Sequence, residues 1–383
     1  MNSSQDPGIL ASMLKDAYVK IFYKNWPVWL GGLLIGINSI VTFAWERPLG
    51  VVGGLREWID WLFYSAKIYG IHPHYGLHLS SSSVLTFGLL WGAFASALLS
   101  KQFAIKIPPP FELLRGALGG TLMGIGATMA MGCNVGGFFS AVSALSLGGL
   151  AMMAGLIVGV FLEIHYFYWE VEWLQPYFGA SAVVLAFAAA FIYRSYGVDP
   201  ASGYSYVKTG GLLISGLAFG IILHRSRFAF LQAFREPFAS GNADQARGMA
   251  IAVIVSVIGF AALKAGGLRP EWAYINSTFW IGSFIGGIIF GFGMPFAGGC
   301  GSGTCWRSAE GGVKQIIAFT VMGITNSLFK SYMDSSETLT LLMGKRVFLP
   351  EYISYPWAVI LIVAIMMLYY LVASWNEKTR AFI

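Results

Sequence analysis

The sequence predicts an all-α polytopic membrane protein, with about nine transmembrane helices plus re-entrant or broken half-helices arranged as two pseudo-symmetric repeats. Three observations predict it: an apolar composition, a series of span-length apolar runs, and a glycine-rich motif that occurs twice. Of the 383 residues, 56% are hydrophobic and only 11% are charged, against about 25% charged in soluble domains. Lipid, not water, is the main solvent for such a chain.

A helix crosses a hydrocarbon core of about 30 Å in roughly 20 residues. The runs that approach this length are Trp29–Phe43, Val84–Leu99, Leu147–Leu162, Ala180–Tyr193, Gly211–Leu223, Met249–Leu263, Trp280–Met294, Ile316–Leu328 and Trp357–Val372. Several are short, so some segments are expected to enter the membrane without crossing it. The first 25 residues hold Lys15, Lys20 and Lys24 but no apolar core with a small-residue cleavage site. No signal peptide is expected, and the first span serves as its own insertion signal.

The formal net charge of +6 is spread over loops and ends rather than gathered in a stripe, which fits topology signals and excludes nucleic-acid binding. Lys101, Lys106 and Arg115 form one candidate cytoplasmic cluster, and Arg225, Arg227, Arg235 and Arg247 form another. Between Gly116 and Tyr193 there is no Lys or Arg, while Glu163, Glu170 and Glu172 crowd near Trp169 and Trp173. That stretch reads as external. Lysines near the start, and Lys378 with Arg380 near the end, both favour the inside, which conflicts with an odd number of spans.

The repeat sets GGTLMGIGATMAMGCNVGGFFSA, from Gly119 to Ala141, against GGIIFGFGMPFAGGCGSGTCWRS, from Gly286 to Ser308, at a constant offset of 167 residues. Gly119, Gly120, Gly124, Gly126, Ala130, Gly132, Cys133 and Gly136 recur as Gly286, Gly287, Gly291, Gly293, Ala297, Gly299, Cys300 and Gly303. A weaker echo links the segments starting at Gly32 and Gly216. The polar stretch from Tyr193 to Lys208 reads as a linker, giving a first membrane repeat over 1–200 and a second over 201–383 within one integrated transmembrane domain.

Glycines spaced by four permit close helix packing, and that is the reading for Gly120/Gly124 and Gly287/Gly291. Around the cysteines the pattern differs, since Gly132 and Gly136 flank Cys133 and Asn134, and Gly299 precedes Cys300, Gly301, Ser302, Gly303 and Thr304. Paired glycine-interrupted segments at matching places in two halves mark a transporter site near the membrane midplane. A helix that restarts there points free N–H groups and a positive dipole end at an anion. The candidate donors run from Asn134 to Gly137 and from Gly301 to Thr304.

All three cysteines, Cys133, Cys300 and Cys305, lie in or beside these motifs. An odd number within apolar sequence argues against a disulfide framework, and the Cys300–Cys305 spacing is not that of a zinc or redox pair. No metal and no cofactor is expected. Each thiol alone could be a small apolar filler, but symmetric placement favours a lined path, with neutral S–H groups as weak donors. Arg307 and Glu310 stand near enough to the second motif to occupy its mouth, and read equally as a loop ion pair at the membrane interface. The run from His224 to Glu236 sets Arg225 and Arg227 beside aromatic residues and reads first as a positive-inside anchor.

The chain resembles the YeeE/YedE family of bacterial inner-membrane proteins, on MAMGCNVGGFF (Met129–Phe139), AGGCGSGTCWRSAEG (Ala297–Gly311) and RSRFAFLQAFRE (Arg225–Glu236). The GCN form at Cys133 is nearer the branch associated with selenium transport. The resemblance implies a multi-pass protein of the bacterial inner membrane, with helices dipping in from both sides. It also implies thiosulfate handed along cysteines, here Cys133 and Cys300, and a small cytoplasmic sulfur-carrier protein as partner. Relatives commonly carry a third cysteine where this chain has Ala229, which leaves Cys305 as the remaining thiol. The expected function is therefore uptake of a small sulfur-containing anion. No nucleotide motor is expected, since no G-x-x-x-x-G-K-[ST] occurs. A selenium transporter, a membrane persulfide relay and a structural membrane subunit are the alternatives.

Overall fold

In hydrocarbon a backbone has to satisfy its own N–H and C=O groups, and a helix does so within one segment. Helices accordingly make up nearly all the ordered structure of the chain, whose computed structural model describes residues 7–67, 76–164, 206–276 and 278–381. The first half holds α1 (Pro7–Tyr18), α2 (Val28–Trp45), α3 (Val52–Ser65), α4 (Ser81–Leu99) and α5 (Pro110–Met129). It closes on a first half-helix, a π segment Asn134–Ser140 continued by an α turn Ala141–Ser143, and then α6 (Leu147–Ile164). The second half holds α7 (Tyr206–Ser226), α8 (Phe230–Ala239), α9 (Asp244–Ala265) and α10 (Ile281–Ala297). A second half-helix (Gly301–Ala309), α11 (Val313–Asp334), two short helices and α12 (Tyr355–Thr379) complete it.

Among the described residues, seven helical segments are long and apolar enough to cross a membrane, and α6 is a shorter apolar helix. Each expected span falls on a helix except Ala180–Tyr193, which lies outside the described residues, as does the expected division near residue 200. One crossing segment was not among the expected runs: α5 with the first half-helix, Pro110–Ser143, whose glycines break up its apolar run. α12 shows what solvent this surface meets, because it leaves Ile360, Leu361, Met367, Leu368 and Leu371 exposed on its outer side. On a soluble protein such a patch would mark an interface; here it faces lipid.

The two halves are interleaved. α2 packs on α9 and α7 on α4, while α5 packs on α11 and α10 on α6. The pseudo-two-fold lies between α5 and α10, which cross antiparallel through glycines. A Cβ at Gly126 would meet the Gly286 carbonyl at 2.5 Å, and one at Gly119 would meet the Gly293 carbonyl at 2.7 Å. These are the same contact seen from each half. Gly120 and Gly124 face the carbonyls of Ala318 and Met322, and Gly287 and Gly291 face those of Met152 and Leu156. The glycine stripes outside the breaks thus serve close packing, as their spacing predicts.

The described ends of the chain share one end of the bundle. Trp26 N–H donates to the Arg225 carbonyl at 2.8 Å, and Arg247 is bonded to Glu377 near the end of α12. Glu310 joins the two predicted cationic clusters there, with Arg227 at 3.0 Å and Lys106 at 3.7 Å. Both described ends therefore lie on the cationic side of the bundle.

Substitution at the α5–α10 crossing checks this packing. Gly126→Val is expected to destabilise the protein by about 1–3 kcal/mol or more, the cost of overpacking a tight site. Gly136→Ala, where an added Cβ meets nothing within 4 Å, is expected to leave the thermal midpoint in detergent unchanged.

Candidate functional site

Each of α5 and α10 ends on a left-handed residue, Met131 (φ 57°) and Gly298 (φ 74°), which turns the chain so that a half-helix can restart. Cys133 and Cys300 occupy the N-cap positions of the two restarts with nearly identical backbones (φ −74°, ψ −176° and φ −78°, ψ −179°). Hydrogen bonds recur at the 167-residue offset: Gly132 N–H to Ala127 O and Gly299 N–H to Met294 O, then Gly137 N–H to Cys133 O and Thr304 N–H to Cys300 O. Past the half-helices the offset falls to 166. Ser146 N–H to Ala141 O answers Gly312 N–H to Arg307 O, and left-handed Leu145 answers Gly311. The first half-helix absorbs the extra residue in its π segment, whose i→i+5 turn is wider than an α turn.

The amino ends of the half-helices meet. Gly301 N–H donates to Asn134 Oδ1 at 3.1 Å, so a side chain from the first half caps the second half-helix. A Cβ added at Gly301 would stand 2.8 Å from Cys133 Cβ and 3.1 Å from its sulfur, so only glycine allows this approach. From that junction the half-helices diverge to opposite ends of the bundle. Gly312, past the second, bridges Lys106 before α5, and Ser146, past the first, bridges Phe348 in the loop whose Met343 carbonyl accepts from Gly282 at the start of α10. This is the geometry of helices entering from both sides.

Donors lie close to both sulfurs. The backbone amides of Val135, Gly136, Val51 and Val52 lie near Cys133, whose side chain makes no capping hydrogen bond. Gly303 N–H donates to Cys300 Sγ at 3.2 Å, and Ser302 Oγ lies 3.5 Å from that sulfur. Thr304 Oγ1 donates to the carbonyls of Cys300 and Gly301 at 3.0 and 3.1 Å. Gly132 and Gly299 sit at the break itself, where a Cβ would meet Gly137 N at 2.6 Å and Thr304 N at 2.9 Å respectively. Gly136 instead borders open space and is only half-buried. The three thiols are free and at most 1% exposed, and no group of three His, Cys, Asp or Glu among the described residues could hold a metal.

The carbonyls freed by the breaks find partners, as burial demands. Asn276 Nδ2 donates to Ala130 O and Gly137 O at 3.3 Å each, and Arg307 Nη1 donates to Gly298 O at 2.8 Å. At the far end of the first half-helix, Lys264 Nζ donates to Ala144 O at 2.9 Å, a cation on a helix carboxyl end. Arg307 thus clamps the break rather than standing open in a mouth. Glu310 is held by Arg227 and Lys106.

Sequence reasoning missed α3 and Asn276, which no motif marks. It placed Asn134 in the path without foreseeing that it reaches the other half. Ala229 begins α8, whose Phe230 and Phe234 pack on Phe138 at ring-centroid distances of 6.3 and 5.3 Å. Phe138 and Cys305 hold equivalent positions on the two half-helices at the 167-residue offset.

A family model described as sulphur transport matches residues 7–162 and 225–382. The probable transporter YedE of Escherichia coli K12 is 26% identical over 323 residues, covering 76% of this chain and 77% of its own length. The thiosulfate transporter TsuA of the same organism is 33% identical over 139 residues, 36% of this chain and 38% of its own. TsuA of Spirochaeta thermophila is 36% identical over 104 residues, 26% of this chain and 30% of its own.

Two measurements check the junction. In the purified native protein all three thiols are expected to resist a charged thiol reagent and to react only after denaturation. Asn134→Ala, which removes the cap on Gly301, is expected to cost about 1 kcal/mol of stability and to speed labelling of Cys300.

Proposed function

The chain belongs to the sulphur transport family, and from that premise we propose that it takes up thiosulfate across the bacterial inner membrane along a path lined by Cys133 and Cys300. Its family and relatives are transporters, not enzymes. The observation that carries the finer reading is the junction at which two cysteine-capped half-helices meet through Asn134 and Gly301. Backbone N–H groups and helix dipoles there favour an anion.

The thiols suit a sulfur-bearing anion. Thiosulfate carries a soft terminal sulfur at one end and oxygens at the other, so an S–H group can donate to the sulfur while backbone amides take the oxygens. The anion would enter from the Gly136 side, where there is space beside Cys133, and pass to Cys300 as the Asn134 cap yields. Gly132, Gly136, Gly299, Gly301 and Gly303 keep side chains out of the way, and Ser302 and Thr304 hold the second turn in place. Cys305, deeper on the second half-helix, is the further thiol on the inward side. Arg307 supports the path through the Gly298 carbonyl.

Growth on thiosulfate as sole sulfur source, in a bacterium that cannot take up sulfate, tests this. The parent chain is expected to support growth, and Cys133→Ala and Cys300→Ala to reduce initial uptake by at least roughly tenfold, the effect of about 1.4 kcal/mol, at unchanged membrane levels. Failure of the parent despite good expression would remove thiosulfate; growth of both variants at the parent rate would remove the cysteine path.

A further inference from the structure

At the inner, cationic end of the second half-helix, a second group of polar atoms is buried and unspent. His224 is 0% exposed, Arg225 0% and Trp306 1%, and His224 Nε2, Arg225 Nε and Trp306 Nε1 have no hydrogen-bond partner. The His224 and Trp306 rings meet edge-on with centroids 5.8 Å apart. Ser96 Oγ lies 2.8 Å from His224 Nδ1; with that hydroxyl donating, the imidazole carries its proton on Nε2 and presents a third N–H.

The charge around this group is strongly one-sided. Arg227 and Arg307 lie over the Trp306 ring at 5.5 and 5.2 Å, and Arg225, Arg227 and Lys106 all act on His224. Arg225 and Arg227 share the Gln102 Oε1 acceptor, which brings no charge. Glu310 answers the partly exposed Arg227 and Lys106 and Glu236 acts on Arg307, so four cations face two carboxylates and an excess of positive charge remains. Buried donors without acceptors are costly, and the two on the adjoining His224 and Trp306 rings, within a net positive field, share one remedy, an anion.

We propose that Trp306 Nε1 and His224 Nε2, with the Arg225 charge acting on His224, form a second anion station, one that takes a small sulfur oxyanion by its oxygens on the inner side of the thiols. The proposal rests on the uptake reading for its cargo, but its geometry stands apart from Cys133 and Cys300. Trp306 directly follows Cys305 in sequence, so an anion leaving the thiols would meet the indole N–H next. Oxygens suit N–H donors as the terminal sulfur suits thiols, and the two stations would hold the ion by opposite ends.

Equilibrium binding of radiolabelled thiosulfate to the purified full chain tests the station, with sulfate and phosphate as competitors and a melting curve for every variant. Binding is expected to persist in the Cys133→Ala/Cys300→Ala double variant. It should weaken roughly tenfold in Trp306→Phe and in His224→Leu, the loss expected for one charge-assisted hydrogen bond. His224→Gln restores an N–H and should recover most of it, and added salt should weaken it. Equal binding in all variants, or binding that vanishes with the cysteines and ignores Trp306, would overturn the station. So would lipid phosphate that copurifies and resists displacement by the free anions. Should the parent fail to take up thiosulfate in cells yet bind sulfate or phosphate in a Trp306-dependent way, the uptake reading falls and the station stands.

Discussion

The hydrogen bond from the Gly301 amide to the Asn134 side chain ties together the two places where helices break inside the bundle. A broken helix leaves N–H groups at its restart and carbonyls at its stop, and hydrocarbon satisfies neither. The surrounding structure answers this need. Asn276 and Arg307 take the freed carbonyls, Lys264 takes the carboxyl end of the first half-helix, and the thiols of Cys133 and Cys300 stand against the first free amides. What remains unspent at the amino ends is the positive character that an anion would use.

Interleaving makes this arrangement rigid. Because α5 packs on α11 and α10 on α6, neither half can bury its glycine-lined faces without the other. The pseudo-two-fold is not perfect, and its departures matter. Asn134 corresponds to Gly301, so only one half supplies a cap to its partner. The π segment adds a residue to the first half-helix alone, and Phe138 stands where the second half-helix has Cys305. Two similar restarts thereby differ in cap, length and side chains.

Much of this was legible in the sequence. The apolar runs located most of the long helices though not α5, and the repeated glycines and cysteines located both breaks, because positions that must stay small or bear a thiol keep their identity at a fixed offset. The 166-residue register beyond the half-helices was not legible, since a π turn absorbs a residue among small side chains that give no signal. Nor could sequence show that Arg307 turns back onto Gly298 while Glu310 reaches Arg227 and Lys106, because residues close in the chain need not pair. α3 was hidden by its mixed composition, although its first N–H groups lie near Cys133. The unspent donors of His224, Arg225 and Trp306 depend on burial that only the packed helices reveal.

Function rests on whether an ion crosses at the junction of the half-helices. The most direct measurement is uptake of radiolabelled thiosulfate into sealed proteoliposomes that contain only the purified chain. Accumulation above protein-free vesicles, lost when Cys133 and Cys300 are both replaced by alanine, is the result expected. Vesicles with the folded parent chain that accumulate no more label than empty ones would contradict it.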